Sequence, residues 1–185
     1  MHSETVFIGF GSNLGDRQEL CDRAVALIGL MPHSKVIGVS SYYETSPVDP
    51  NGILGDTWFY NGVVKLDTSL VVRKLFDICQ ETERALGRDD DNRAGPRTMD
   101  FDVLFYGQHI IDEADLTIPH PRLHLRRFVL EPLVELDPQW NHPTFDRSLK
   151  ELFDDLDDSS KVRKLELTPG SRYGNRPTCA SPTNE

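Results

Sequence analysis

The sequence lacks the long apolar run, of roughly 18 residues, that a membrane-spanning helix requires. Its first residues, MHSETVFIGF, have neither the basic start nor the small-residue cleavage site of a secretory signal. Cysteine is scarce, and Cys21, Cys79 and Cys179 are widely spaced without a C-x-x-C pair. These absences predict a cytoplasmic protein that has no membrane partner.

Positive charge is also in short supply, because 20 lysines and arginines stand against 30 aspartates and glutamates and give a formal net charge of −10. This balance argues against a nucleic-acid partner, which requires clustered positive charge. Lysine is absent from Leu75 to Leu149, whereas seven arginines occur from Arg84 to Arg127. Because the planar guanidinium suits phosphate oxygens, this distribution favours a local phosphate site. Surface ion pairs with nearby acids are the alternative interpretation.

What is present is an ordinary globular composition, with 38% hydrophobic and 27% charged residues over 185 positions, enough for one domain and its core. Alternating and helical hydrophobic patterns predict the element order β-α-β-β-α-β. The predicted strands are TVFIGFGS, KVIGVSSYYET, FYNGVVKLDT and TMDFDVLFYG, and the predicted helices are NLGDRQELCDRAVALIGLMP and SLVVRKLFDICQETERALG. This order is that of a ferredoxin-like α+β domain, an antiparallel sheet with helices packed on one face.

Smaller signals refine this outline. Asp16 and Ser69 are predicted to cap the two helices, and Gly87 to end the second. The glycines of GFGSNLG are expected to form a tight turn after the first strand, and HIIDEADLTIP to form two short strands around an acidic turn. RRFVLEPLVEL and RSLKELFDDL are expected to pack as C-terminal additions. We predict a single domain over residues 1–158 and a C-terminal extension over residues 159–185, disordered from about residue 168.

The stretch GPRTMDFDVLFYG places two aspartates in an apolar strand. Because side chains alternate along a strand, Asp100 and Asp102 should share one face. The other face should carry Met99, Phe101, Val103 and Phe105. Two like charges side by side repel each other, so a positive partner is expected. A magnesium ion, which binds one or two carboxylates together with waters and phosphates, is one candidate, and neutralisation by arginines is the other.

Basic residues on both sides of this strand favour nucleotide chemistry. Arg88 ends the second helix and Arg97 precedes the aspartates. The later segment IPHPRLHLRR adds His120, Arg122, Arg126 and Arg127. Carboxylates that bind metal, opposed by arginines, are the arrangement that phosphoryl transfer requires. The usual kinase motifs are nevertheless absent, with no G-x-x-x-x-G-K-[ST], H-R-D or D-F-G, and GFGSNLG has the wrong spacing for a dinucleotide fingerprint.

Several phrases, in this order and spacing, resemble one family. GSNLGD, YYETSPV, FYNGVV, GPRTMDFDVLFYG and LTIPHPRLHLRRFVLEPL together are similar to 6-hydroxymethyl-7,8-dihydropterin pyrophosphokinase of the folate pathway. The resemblance implies a ferredoxin-like fold and the transfer of pyrophosphate from ATP to the pterin hydroxymethyl group, with release of AMP. It also implies that ATP and the pterin are the substrates and that two Mg²⁺ ions are the cofactors. We further expect a monomer.

The resemblance implies roles for individual positions. Asp100 and Asp102 would hold the two Mg²⁺ ions, and Arg88 and Arg97 would complete the catalytic set by binding the triphosphate. The implied ATP-binding residues are Gln80, Glu83, Arg88, Arg97, Thr117, His120 and Arg126. The implied pterin-binding residues are Thr45, Ser46, Val48, Phe59, Asn61 and Phe128. Asn61 would bind the amide edge of the ring, and the two phenylalanines would sandwich it.

Other interpretations stay open at this stage. Phe59 and Phe128 are compatible with core packing, Asn61 before Gly62 with a bulge or turn, and His120 with an ordinary loop. A D-x-D glycosyltransferase would use the same ion, but it would need more β-α units than this chain has. A ferredoxin-like binding module would explain the fold without explaining the carboxylates.

The sequence departs from the family's pattern around one loop. Asp89, Asp90 and Asp91 stand where many members are basic, and Ala94 stands where many have tryptophan. Pro121 occupies a position where an aromatic residue often contacts the adenine. Because aspartates repel phosphates, we expect weaker closure of this loop over the nucleotide.

Overall fold

The computed structural model describes residues 2–47, 57–87 and 98–170. In chain order the elements are β1 (Glu4–Ser12), α1 (Arg17–Gly29), β2 (Ser34–Val39), β3 (Tyr43–Thr45), β4 (Phe59–Thr68), α2 (Val72–Ala85), β5 (Asp100–Tyr106), β6 (Ile111–Asp112), β7 (Thr117–Ile118), a 3-10 turn (Leu123–Leu125), α3 (Arg127–Leu136), β8 (Asn141–His142), β9 (Arg147–Ser148), α4 (Leu149–Asp154) and β10 (Val162–Lys164). The protein is therefore a mixed α and β structure.

The main sheet is antiparallel throughout its described pairings and runs in the order β10-β3-β4-β1-β5, with β2 also paired to β4. β1 is central because it pairs along its whole length with β4, from Glu4↔Thr68 to Ser12↔Tyr60, and with β5 on its other side. The predicted acidic turn is confirmed as the small antiparallel pair of β6 and β7.

The second predicted strand is divided into β2 and β3. The break lies at Ser40, whose backbone N–H donates to the carbonyl of Val63 while its hydroxyl accepts from the Val63 N–H, both at 2.9 Å. This side-chain bond takes the place of a normal ladder contact, so the strand bends without leaving a buried N–H unpaired. As a result β3, only three residues long, is offset from β2 along the same neighbour, β4.

Alternation along β1 separates two apolar cores. Val6 and Ile8 belong to a core that also contains Cys21 and Ile28 of α1 and Leu75 of α2. Phe7 belongs to a second core, formed with residues of α3 and α4 such as Leu130, Leu133, Leu149 and Leu152. Successive side chains of a strand point to opposite faces, so α1 and α2 cover one face and the C-terminal helices cover the other.

A register shift in β5 changes one expectation. Phe101 and Val103 lie in the core beneath α1 and α2, as predicted, but Phe105 lies in the core on the opposite face. The pairing jumps from Phe7↔Phe105 to Ile8↔Val103, so Leu104 is an extra residue in the strand. A bulge of this kind reverses the facing of every residue beyond it, and the prediction for Phe105 is therefore wrong.

The predicted helix ends have mixed outcomes. Asp16 caps α1 as predicted, because its Oδ1 accepts a hydrogen bond from the Glu19 N–H at 3.0 Å. Gly87 ends the second helix with a φ of +89°, also as predicted. The prediction for Ser69 is wrong, because Val71 holds the N-cap position of α2 without any side-chain bond.

The C-terminal part returns to the sheet. β10 pairs with β3, and Gly170 is buried, with its N–H donating to Asp22 Oδ1 at 2.8 Å. Residues 171–185, to which most of the predicted disordered tail belongs, lie outside the described residues. Within the described ranges, none of the helices has both the length and the apolar character needed to span a bilayer.

Candidate active site

Asp100 and Asp102 form the acidic floor of a cavity. They begin β5, and their partners in β1 are Gly11 and Gly9, respectively. Because the residues directly opposite have no side chains, Leu104 lies close to the backbone at Gly9 and Asn61 Oδ1 lies close to the backbone at Gly11. Asp102 keeps 40% of its side chain exposed to solvent. The two glycines thus lie within a strand, so the prediction that they form a tight turn is wrong for them, and only Gly15, with a φ of +61°, has turn geometry.

The cavity has a volume of about 450 Å³ and collects most of the predicted site residues. Those that line it are Thr45, Ser46, Phe59, Asn61, Asp100, Asp102, His120, Arg126 and Phe128. They come from β3, β4, β5, the segment after β7 and the start of α3. Residues that are distant in sequence therefore meet in one place, as the predicted site requires.

Three of the described site residues do not line this cavity, and three further predicted site residues cannot be located relative to it. Gln80 is half-buried on α2, Glu83 is buried on the same helix, and Thr117 is exposed on β7, where it pairs with Asp112. Val48, Arg88 and Arg97 lie outside the described residues.

Basic side chains face the two carboxylates. His120 Nε2 lies 3.9 Å from Asp102 Oδ1, and Arg122 and Arg126 also line the cavity. Burial lowers the pKa of His120, chiefly opposed by the negative charge of Asp102, and the two arginines lower the pKa further. The imidazole is therefore largely neutral at neutral pH. Arg127, by contrast, lies outside the cavity lining and forms an ion pair with Glu131 at 3.1 Å.

The opposite end of the cavity is neutral and buried. Asn61 is 9% exposed, and its Nδ2 donates to Thr45 Oγ1 at 2.6 Å. This bond fixes the orientation of the amide group. Gly11 is also required here, because a Cβ at that position would lie 2.4 Å from Asn61 Oδ1. Phe59 and Phe128 line the same cavity and supply aromatic surface there, and the Arg126 guanidinium lies 5.5 Å from the centre of the Phe128 ring.

Glu83 forms a hydrogen bond with the backbone of β5, the strand that carries the two aspartates. Its carboxylate is buried in the protein and accepts a hydrogen bond from the Phe101 N–H at 2.6 Å. Phe101 is the residue between the two aspartates, and β5 is an edge strand of the described sheet. An outward N–H of an edge strand has no ladder partner, so the carboxylate completes the hydrogen bonding of the segment that carries Asp100 and Asp102.

Comparison with known proteins assigns the family. The sequence pattern described as 7,8-dihydro-6-hydroxymethylpterin-pyrophosphokinase (HPPK) matches residues 7–138. The chain belongs to the HPPK family. The 2-amino-4-hydroxy-6-hydroxymethyldihydropteridine pyrophosphokinase of Bacillus subtilis (strain 168) is 41% identical over 133 residues, which cover 72% of this chain and 78% of that protein. The enzyme of the same name from Pseudomonas aeruginosa (strain PAO1) is 36% identical over 140 residues, or 76% of this chain and 85% of that protein.

Solved structures show the same fold for the HPPK region. The crystal structure of Plasmodium falciparum HPPK-DHPS with pteroate has a TM-score of 0.65 and 16% sequence identity, and the match covers 82% of this chain and 42% of that chain. At this identity the likeness concerns the fold alone. All of the described cavity residues lie within the part of the chain that matches the HPPK pattern.

The donor set of the HPPK cavity fits a hard cation. Within residues 2–47, 57–87 and 98–170, no three His, Cys, Asp or Glu side chains are grouped so that they could hold a metal ion by themselves. Magnesium, however, typically takes only one or two protein carboxylates and completes its shell with water and substrate phosphates. Asp100 and Asp102, on one strand face beside basic residues, match that requirement.

Sequence reasoning gave no individual role to three residues that the structure brings to this site. Arg122 was recognised only as part of the basic segment, and the structure now places it in the cavity lining. Gly9 and Gly11 have no side chains at the two positions that pair with Asp102 and Asp100. This arrangement becomes visible only from the pairing of β1 with β5. A signal was present in the sequence, since two glycines spaced i, i+2 in a strand share one face and predict a close approach there.

Proposed function

We propose that this chain transfers pyrophosphate from ATP to the hydroxymethyl group of 6-hydroxymethyl-7,8-dihydropterin, which gives the pterin diphosphate and AMP in folate biosynthesis. Membership of the HPPK family supports this reaction. The structural observation that carries it is a single cavity containing both the Asp100/Asp102 pair and the buried Asn61–Thr45 pair. Such a cavity can take a polyphosphate at one end and a flat heterocycle with a polar edge at the other.

At the charged end, Asp100 and Asp102 are assigned as the residues that hold two Mg²⁺ ions. When bound, the ions would neutralise the triphosphate and help to orient the attacking hydroxyl. The chain's own contribution is to fix the two carboxylates on a paired strand, which holds them more rigidly than a loop would. Glu83 is proposed to act as a positioning residue, because its carboxylate bonds the backbone between them.

Basic groups around the aspartates are proposed to bind the nucleotide. His120 and Arg126 line the cavity, and Arg122 joins them there. Gln80 and Thr117 keep the nucleotide-binding roles implied by the family resemblance. Arg88 and Arg97 keep their proposed catalytic roles at the triphosphate, although they lie outside the described residues.

The proposed chemistry is an in-line displacement at phosphorus. The hydroxymethyl oxygen attacks the β-phosphorus of ATP and forms a new P–O bond. The bond from that phosphorus to the oxygen shared with the α-phosphate breaks, and the electron pair leaves with AMP. The hydroxyl proton is released. Positive groups aimed at the transferred phosphates stabilise the charge that develops, which is the main source of catalysis in such reactions.

At the neutral end, Asn61 is proposed to bind the amide edge of the pterin, with Thr45 holding its side chain in one orientation. Phe59 and Phe128 are proposed to cover the two faces of the ring, since a flat heterocycle packs well against aromatic surfaces. Ser46 lines the cavity next to Thr45. Val48, outside the described residues, keeps its proposed contact with the same ligand.

The proposal also includes the sheet topology, the C-terminal additions, the oligomeric state, the cellular location and the domain boundary. The antiparallel order β3-β4-β1-β5, with α1 and α2 on one face, supports a ferredoxin-like core, and α3 and α4 support C-terminal additions to it. The monomeric state, the cytoplasmic location and the domain boundary at residue 158 stay predictions.

The products of a single reaction test the proposal. The full-length protein is incubated with ATP, Mg²⁺ and 6-hydroxymethyl-7,8-dihydropterin, and the nucleotides are separated by chromatography. We expect AMP and pterin diphosphate in equal amounts, with neither formed when the pterin is omitted. ADP as the product would indicate a simple kinase, and the absence of any turnover would indicate a binding module; either result would contradict the proposal.

A further inference from the structure

Residues 161–170, here called the C-terminal strap, lie beyond the part of the chain that matches the HPPK pattern, which ends at residue 138. The strap begins beside β3 and continues as β10, which pairs antiparallel with it through Val162↔Thr45 and Lys164↔Tyr43. A strand of three residues at the edge of a sheet is held weakly, because half of its hydrogen bonds go to solvent. Pairing with the strap makes β3 an internal strand.

The strap also clamps the residue that follows β3. The Ser46 N–H donates to the Lys161 carbonyl at 3.0 Å, and the Lys161 N–H donates to Ser46 Oγ at 3.1 Å. Ser46 lines the cavity, and its neighbour Thr45 accepts the hydrogen bond from Asn61 Nδ2. A continuous series of hydrogen bonds and covalent bonds therefore runs from the strap to the amide group of Asn61.

The far end of the strap has its own anchor. The Leu165 N–H donates to the Tyr42 carbonyl at 2.8 Å. Five residues later, the Gly170 N–H donates to Asp22 Oδ1 at 2.8 Å, and the Tyr42 hydroxyl donates to the same oxygen at 2.7 Å. Asp22 and Tyr42 are fully buried. Since these hydrogen bonds are buried away from water, the strap is held at both ends.

We propose that the C-terminal strap positions the pterin end of the site, with the main chain of Lys161 acting as a positioning residue through Ser46 and Thr45 on Asn61. This inference rests on the function proposed above. It predicts a selective effect, because β4 and β1 lie between β3 and the aspartate-bearing β5. Loosening the strap therefore weakens binding of the pterin and leaves the nucleotide end in place.

Full-length Lys161→Pro and Lys161→Ala test the inference as a matched pair. Proline removes the N–H that donates to Ser46 Oγ, whereas alanine removes only the exposed side chain and keeps the main-chain bonds. In Lys161→Pro, we expect the pterin Kd, followed by ligand fluorescence, and the pterin KM to rise roughly two- to tenfold, as for the loss of one hydrogen bond. The KM for ATP should stay unchanged, and Lys161→Ala should keep the wild-type pterin affinity.

A second variant keeps the test decisive if Lys161→Pro does not fold. Arg163 forms an ion pair with Glu44 on β3 and is largely exposed, so Arg163→Glu replaces attraction by repulsion without disturbing the core. We expect a selective rise in pterin Kd there as well. Unchanged pterin Kd in the folded variants, equal losses for both substrates, or a Lys161→Ala protein as weak as Lys161→Pro would overturn the inference. Wild-type protein that does not bind the pterin would overturn the proposed function instead.

Discussion

At the charged end of the cavity, Asp102 has 40% of its side chain exposed to solvent and lies 3.9 Å from His120. At the neutral end, by contrast, Asn61 and Thr45 are only 9% and 2% exposed, and their side chains are hydrogen-bonded to each other. The polar side chains at the two ends thus differ in how far they are exposed to solvent. An exposed acidic floor beside basic groups suits a ligand that brings its own charge, metal and water. A buried amide that is already oriented suits a neutral ring that must displace water without much rearrangement.

The two ends are also braced differently. β5, which carries the aspartates, is an edge strand of the described sheet, and a buried glutamate, Glu83, bonds its outward N–H. β3, which carries Thr45, is held on both sides by other strands, and Glu135 of α3 accepts a hydrogen bond from the Tyr43 hydroxyl at 2.6 Å. At the charged end, β5 is paired with β1 on one side and bonded by Glu83 on the other, whereas at the neutral end β3 is paired with a strand on each side. Variants at each end should affect different substrates.

The largest effect is expected for Asp102→Ala. Removing this carboxylate takes away a proposed magnesium ligand while leaving the core intact, since the side chain faces the cavity. We expect kcat to fall by roughly three orders of magnitude or more, on the scale of losing a principal electrostatic stabiliser of the transition state. Initial rates of AMP formation measure this, and circular dichroism checks the fold.

Asp112→Ala is the matched control, because Asp112 is an exposed acid on β6 that does not line the cavity. It makes the same change in charge and should retain wild-type turnover. A well-folded Asp102→Ala protein with near-normal kcat would remove the metal role from this aspartate and, with it, the contrast between the two ends.

A smaller and selective loss is expected for Asn61→Ala. The amide is buried and pre-oriented, so its removal takes away hydrogen bonds that the pterin edge would otherwise make. We expect pterin affinity to fall roughly ten- to a hundredfold, equivalent to one or two buried hydrogen bonds, with little change in the KM for ATP. Fluorescence titration of the pterin and steady-state kinetics for both substrates provide the comparison.

Gly11→Ala tests the role of Asn61 without changing Asn61 itself. Its new methyl group would lie 2.4 Å from Asn61 Oδ1, so the amide must move, and the variant should also bind pterin weakly. Gly9→Ala is the matched control, because the nearest atoms to its methyl group would belong to Leu104, at 3.3 Å, so that a flexible side chain moves instead of the Asn61 amide. If both Asn61→Ala and Gly11→Ala bind pterin normally, the neutral end of the cavity is not the pterin site.

Many of the residues at the two ends of the cavity could be predicted from the sequence, and the features that could not be predicted have physical causes. Alternation within a strand is local, so Asp100 and Asp102 were correctly placed on one face. The bulge at Leu104 depends on pairing with β1, which no local pattern specifies, and Phe105 was therefore placed wrongly. The family resemblance implies that Glu83 binds ATP, whereas its bond to the Phe101 N–H depends on how α2 packs against β5, which no local pattern specifies.

The C-terminal strap could not have been predicted for a related reason. Only its last three residues, Thr168 to Gly170, belong to the predicted disordered tail, because Pro169 and Gly170 are typical of such a segment. Its order comes from main-chain bonds to residues more than a hundred positions earlier, such as Ser46 and Asp22, together with the packing of Leu165 and Leu167 against the core. Backbone hydrogen bonds depend little on side-chain identity, so a sequence pattern carries almost no information about them.

An intermediate effect is expected for Glu83→Ala, which tests how the charged end is braced. Without the carboxylate, the Phe101 N–H loses its partner and the strand segment between the two aspartates loosens. We expect the Mg²⁺ concentration for half-maximal activity to rise roughly tenfold, equivalent to about 1.4 kcal/mol, with an unchanged pterin Kd. Glu83→Gln keeps an oxygen acceptor and should recover much of the loss. A lower melting temperature with unaltered Mg²⁺ dependence would make Glu83 purely structural.

The smallest effect is expected for Arg122→Ala. The side chain is exposed at the charged end of the cavity, where solvent weakens its attraction for phosphate. We expect the KM for ATP to rise roughly two- to fivefold, in line with the energy of an exposed ion pair, with pterin affinity unchanged. The difference from wild type should shrink as salt is added, because mobile ions screen the interaction.

Arg147→Ala provides the comparison for Arg122, because Arg147 bonds Asp155 and the Glu151 carbonyl away from the cavity. The same loss of charge at that position should leave the KM for ATP unaltered at any salt concentration. An equal change in both variants would mean that ATP responds to the overall charge of the protein. A change in Arg122→Ala alone would mean that the charged end of the cavity extends beyond the residues that the family resemblance implies.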